Sequence, residues 1–231
     1  MDAYKSKRYA EARQHFQKAS DLGSVEGMTN LGSMLADGIG GRHDHAKGFA
    51  LTQKAAEAGS PEAMFNLAVL YEKGRGTVED TWQAREWYRK ALAAGVTKAK
   101  PEVERYAVME VELNQTPGGL ESSRGLTAYD QDKYDEALAW WEKAAAKGNA
   151  EAMHSLARLH RSEFIPKDIP KALAWLEKAA KAGEANAMAD LGEIYAEGAI
   201  VPRDLPRARA WYAKAIAAGR DDLADTLKAL Q

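Results

Sequence analysis

Cysteine is absent from all 231 residues. Neither a disulfide framework nor a thiolate metal site can therefore exist, which suits a reducing compartment and is equally compatible with the bacterial periplasm. An excess of charge of one sign is missing too. With 32 basic and 34 acidic residues the formal net charge is −2, too balanced for the basic face that non-specific nucleic-acid binding needs, so nucleic acid is not expected as a partner. No apolar run approaches the roughly 20 residues of a membrane span. The short catalytic signatures are missing as well: there is no Gly-x-Ser-x-Gly, no His-Glu-x-x-His and no phosphate loop ending in Gly-Lys-Ser/Thr. No catalytic residue, cofactor or metal is expected. Gly38-Ile39-Gly40-Gly41 stands at the loop position that Gly74-Arg75-Gly76 also occupies, and reads as loop geometry. His43-Asp44-His45 is a run of adjacent side chains, which diverge, and His154 and His160 lie six apart on opposite sides of one helix.

What the chain has is repetition. Lys-Ala-x-x-x-Gly occurs at Lys18, Lys54, Lys90, Lys143, Lys178 and Lys214, at successive spacings of 36, 36, 53, 35 and 36 residues. A period in this range marks a solenoid, whose units bury their apolar faces only against one another. Three residues before the lysines stand His15, Leu51, Trp87, Trp140, Trp175 and Trp211, and three further back Ala12, Gly48, Ala84, Ala137, Ala172 and Ala208. That stripe is one face of an amphipathic helix, here helix B, with the glycine beyond its last turn. Trp87, Trp175 and Trp211 are expected between helices. A second pattern, helix A, carries Leu31-Gly32, Leu67-Ala68, Leu156-Ala157 and Leu191-Gly192, and closes on Leu35, Tyr71, His160 and Tyr195. Asp44, Asp80, Asp168 and Asp204, each four residues before the small residue of helix B, are placed as its N-caps.

Ala-x-x-x-Leu-Gly-x-x-Tyr, Gly-x-Gly, Asp, Ala, Trp-Tyr and Lys-Ala-x-x-x-Gly in this order resemble the SEL1-like repeat, a relative of the tetratricopeptide repeat. Nearly the whole chain is covered, as four full and two partial copies. The resemblance implies an all-α solenoid, a right-handed superhelix of antiparallel helix pairs, with A helices lining the concave face. It implies a non-catalytic scaffold or adaptor that holds a protein partner in that groove. A specific version is a bacterial immunity or secretion-associated protein; the alternative is a binder of a small molecule or cell-wall glycan.

Residues 1 to 23 read as the last turn of an A helix (Met1 to Lys5) followed by a B helix. They match the stretch from Ala128 at a constant offset of 125. In proteins that resemble this one such a block commonly follows a cleaved secretion signal, so the resemblance implies an omitted leader and hence the periplasm, with the cytoplasm as the other location. Residues 1–113 form N-terminal repeats closed by a helix over 99–113. Residues 114–123, NQTPGGLESS, are a linker or local break, either an irregularity in one superhelix or a hinge. Residues 124–231 form C-terminal repeats with a capping helix over 221–230.

The A-helix positions between the packing residues are carried over from the resemblance as groove-facing: Glu26, Thr29 and Ser33; Glu62, Phe65, Val69 and Glu72; His154, Arg158 and Arg161; and Glu193. Phe65 and Val69 are apolar where the other copies are mostly polar, the feature expected of a partner contact. Packing on a neighbouring helix is the competing reading. Trp82 replaces Ala46, Pro170 and Pro206 of the other copies, either as an interface anchor or as a cover for its own loop.

Overall fold

Glycine and aspartate set the helix boundaries. Gly95 ends the third B helix at φ 93°, and Gly23, Gly59, Gly148, Gly183 and Gly219 are equally left-handed, at φ 84° to 105°. A Cβ at any of the six would meet nothing within 4 Å. The requirement is therefore the backbone conformation and not the space. At the opposite end, Asp44, Asp80, Asp168 and Asp204 accept a hydrogen bond from the backbone N–H three residues on, at 2.9 to 3.0 Å. The same aspartates donate their own N–H to the carbonyls of Leu35, Tyr71, His160 and Tyr195. Each therefore fastens the start of a B helix to the last turn of its A helix.

The computed structural model describes residues 2–230, with the side chains of 8–230. Among them the chain is helical throughout, without a strand. It divides into two compact units, Met1–Met109 and Glu110–Gln231. In the first, α1 (Asp2–Asp21) packs on α2 (Val25–Asp37), and the pairs α2/α3 (His45–Glu57) and α4 (Pro61–Glu72)/α5 (Thr81–Ala93) follow. A 3-10 turn, Thr97–Ala99, leads into α6 (Lys100–Leu113), which crosses the division. The second unit stacks α7 (Gly119–Asp130)/α8 (Tyr134–Ala146), α9 (Ala150–Arg161)/α10 (Ile169–Lys181) and α11 (Ala185–Glu197)/α12 (Leu205–Ala217). A 3-10 turn, Asp221–Leu223, and the short α13 (Ala224–Ala229) end it. This is an α-solenoid arrangement of helix pairs.

The core is small on small. Ala63, Ala152 and Ala187 from A helices and Ala55, Ala91, Ala144, Ala179 and Ala215 from B helices are all at 0% exposure, around Leu31, Leu67, Leu156 and Leu191 at 0% or 1%. Glycine in the A helix makes room for an aromatic ring of its B helix: a Cβ on Gly125 would lie 2.4 Å from the Trp141 ring, and one on Gly192 2.8 Å from that of Tyr212.

Three expectations change. The Trp87 register is not the deepest: Trp87 is buried but Trp175 and Trp211 are half-buried, whereas the next position holds Tyr88, Trp141, Leu176 and Tyr212, all buried. One residue is a 100° turn of the helix, and that turn aims the following side chain at the A helix. Second, α1 runs unbroken through the expected A-to-B break near Lys5. The later copy breaks at Asp132, left-handed at φ 59°; the first has Lys7 there, a residue with no local stabilisation of that conformation. Met1 and the side chains of Ala3 and Tyr4 lie outside the described residues. Third, Gly119–Ser123 are helical, the first turn of α7, so the irregular stretch is confined to Asn114–Gly118.

Candidate functional site

In the first unit the A-helix positions fall into two groups. Ser33, Phe65 and Val69 come together around a surface cavity of about 170 Å³ between α2 and α4, with Asn66 and Arg75 at its edge. Phe65 has two partners: the Tyr88 ring in a T-shaped contact at 5.4 Å and the Lys98 ammonium 4.2 Å from its centroid. It is half-buried, at the margin of the core and of the cavity alike. The other residues have partners within the chain. Thr29 donates to Val25 O at 2.8 Å and its hydroxyl is hydrogen-bonded to that of Ser60 at 3.0 Å, which ties α2 to the cap of α4. Glu62 pairs with Lys98. Glu72 accepts from Tyr88 at 2.9 Å, from Tyr106 at 3.1 Å and from Arg105. Glu26 is exposed on the first turn of α2. Trp82 is 8% exposed beneath the Arg85 guanidinium, 5.4 Å from its ring, which places it inside its own unit.

In the second unit two adjoining cavities lie along α7 and α9. The larger, about 490 Å³, has Ser122 and Leu126 of α7, Trp141, and Glu151 and Ser155 of α9 among its lining. The smaller, about 180 Å³, shares Leu126, Trp141 and Ser155 and goes on to Tyr129, Arg158 and Ser162. Leu126 is 54% exposed, an apolar side chain standing in a channel mouth. Trp141 forms the floor; its indole N–H donates to Ser122 O at 3.2 Å and its ring fills the space that Gly125 leaves open.

Of the expected residues here, His154 and Arg161 both turn to Asp190 on α11, at 3.1 and 3.7 Å. Arg158 and Glu193 are exposed. Arg158 has no acidic partner among the described residues, and neither does Glu151 have a basic one. Leu126, Tyr129, Trp141 and Ser155 were not singled out in the sequence. The available signal was Gly125, which aligns α7 with the other A helices and puts Leu126 at the register of Ser33, Val69, Arg158 and Glu193.

The cavities offer shape, hydroxyls and charges of both signs. No group of three or more His, Asp or Glu among the described residues could hold a metal ion. No described helix is long and apolar enough to cross a membrane.

A family model described as Sel1 repeat matches residues 6–24, 25–60, 61–96, 119–149, 150–184 and 185–219. Among solved structures the chain is similar to a Sel1 repeat protein from Oxalobacter formigenes, with 28% identity, 95% of this chain and 83% of that one covered and a TM-score of 0.45. A protective antigen of uropathogenic Escherichia coli matches with 25% identity over 98% of this chain and 54% of that one, TM-score 0.43. An immunity protein of Pseudomonas aeruginosa matches with 20% identity over 84% and 81%, TM-score 0.39. A comparison with curated proteins gives no match.

Proposed function

The chain belongs to the Sel1 repeat family, whose six matches cover most of its length, and on that footing we propose that it is a scaffold whose A-helix faces hold an extended segment of a partner protein. The observation that carries this reading is the placement of one helical register. Ser33, Val69, Leu126 and Arg158 sit at the same position of four A helices, and all four line surface cavities. The position two residues before it in these helices, held by Leu31, Leu67 and Leu156 outside α7, is the one filled with core leucine. Leu126 and the Phe65–Val69 pair supply apolar contact, and the serines and Arg158 supply polar edges, the mixture by which a protein surface is read. The repeats before and after Asn114–Gly118 act as two modules for one partner.

A glycan or small-molecule ligand is less favoured, because the aromatic rings beside the second cavity are packed on one another. Trp141 is 4% exposed, Tyr129 lies 5.6 Å from it, and Tyr134 stacks on Phe164 at 4.4 Å. No broad ring face is left for a sugar at the cavity itself.

The test is retention of partners from the native host by immobilised wild type and by Leu126→Glu, followed by mass spectrometry. A protein retained by the wild type and lost with the variant, at equal helicity and melting temperature, is the expected result. Equal retention by both would remove the A-helix face from the account.

A further inference from the structure

Glu151 and Arg158 stand on one face of α9, seven residues and hence about 10.5 Å of helix apart. Both are exposed, and neither has a partner of opposite charge among the described residues. The two adjoining cavities order what lies between them. Glu151 lines only the first, Arg158 only the second, and Leu126 and Ser155 line both. The channel therefore presents an anion, then an apolar contact with a hydroxyl, then a cation. Several charges of the other A helices are paired, Glu62 with Lys98, Glu72 with Arg105, and Asp190 with His154 and Arg161, while Glu26 and Glu193 are exposed.

We propose that this channel recognises an extended partner segment in which an aliphatic residue is flanked, two positions to either side, by one basic and one acidic residue. The inference rests on the protein-binding reading above and deepens it by naming the chemistry of the bound segment. In an extended chain side chains alternate, so positions i, i+2 and i+4 share a face and span about 13 Å. With the reach of a lysine and a glutamate, three such side chains match Glu151, Leu126 and Arg158 in order. The basic residue meets the Glu151 carboxylate, and the aliphatic one enters the cavity of about 180 Å³ beside Leu126 and above Trp141. The acidic residue takes the guanidinium of Arg158, with the Ser155 hydroxyl beside it. The match is one of charge order and not of net charge, so a segment that is acidic or basic throughout leaves one of the two ends facing a like charge.

The experiment titrates two end-capped heptapeptides, Gly-Lys-Ala-Leu-Ala-Glu-Gly and its reversed-order counterpart, into the full ¹⁵N-labelled chain. The capped ends remove terminal charges as a source of binding. One of the two is expected to shift amide signals of α7 and α9, with Kd in the millimolar range suited to a short segment. Arg158→Glu is expected to weaken it about tenfold, the equivalent of about 1.4 kcal/mol. Replacing the peptide glutamate with lysine is expected to restore it. Leu126→Asp, at a position exposed enough to leave the fold intact, is expected to remove binding of either peptide. Absence of shifts for both peptides, or failure of the charge exchange to restore affinity, overturns the proposal. If a host protein is nonetheless lost with Leu126→Glu, the scaffold reading stands while the charge-order rule falls.

Discussion

The Lys90 ammonium stands 3.9 Å from the centroid of the Trp87 ring, three residues earlier on α5. The pair recurs as Lys143 on Trp140 at 4.2 Å, and as Lys178 on Trp175 and Lys214 on Trp211 at 4.3 Å each. The repeat's lysine is thus a lid on the repeat's tryptophan. The ammonium lies over the ring face, a cation–π contact, and a contact one turn apart on one helix is what the i, i+3 spacing provides.

Stability should follow depth in this register. Trp141→Ala, which empties a 4% exposed site between α7 and α8, is expected to cost on the order of 3–5 kcal/mol. Trp211→Ala, half-buried, should cost about 2 kcal/mol, and Lys214→Ala about 0.5–1 kcal/mol. Denaturant unfolding measures all three, and a loss for Trp211→Ala that exceeds that of Trp141→Ala contradicts the ordering.

Glu72 closes the first unit. Its carboxylate accepts from Tyr88 at 2.9 Å, Tyr106 at 3.1 Å and Arg105, which joins α4 to α5 and α6. Burial first, and then the neighbouring carboxylate, raise the Tyr106 phenol to about 12 and that of Tyr88 further still, so both remain donors at neutral pH. Glu72→Ala leaves two buried hydroxyls without an acceptor and is expected to destabilise by about 2 kcal/mol or more, with Glu72→Gln costing less. Spectrophotometric titration should find fewer tyrosines ionising late in the variant than in the wild type.

His160 makes the second unit sensitive to acid. It is 5% exposed and both ring nitrogens lack a hydrogen-bond partner. Burial and then Lys171 lower its pKa, against the smaller opposing pull of Asp168 and Glu142. The neutral ring is the form the fold accepts, so its contribution is complete above the unfolded value of about 6.5. It is lost as pH falls below that value, because the unfolded chain then binds a proton that the folded chain does not. The slope is at most about 1.4 kcal/mol per pH unit. Urea unfolding from pH 7.5 to 5 should show the wild type losing stability relative to His160→Tyr, the residue that Tyr71 and Tyr195 supply at this register. Parallel curves would contradict this.

Wherever a single residue type fixes a local geometry, the sequence pattern and the structure agree. The aspartate caps, the left-handed glycines and the buried alanines are examples, since each depends on the backbone alone. What depends on the angular position of a side chain was harder to read. Trp87 and Tyr88 are adjacent in sequence, and only the packed pair settles which one turns inward. α7 escaped notice because Pro117-Gly118-Gly119 reads as a turn and because Arg124 stands where Leu31, Leu67, Leu156 and Leu191 stand in the other copies. Its guanidinium lies over Trp140 at 4.7 Å, partly buried at a position that is otherwise core. Without the α7 register Leu126 has no counterpart for comparison, whereas Phe65 stands out by residue type, although its ring is in contact with Tyr88 and Lys98 within the fold.

The central claim, that a partner protein lies along the A-helix faces, is tested most directly by site-specific photo-crosslinking in the native host. A photoreactive phenylalanine analogue is placed at Leu126, at Val69, and at Glu177, an exposed position on the B helix α10. The account predicts that one and the same protein is captured from Leu126 and Val69 and not from Glu177. Capture from Glu177, with none from Leu126 or Val69, would contradict it.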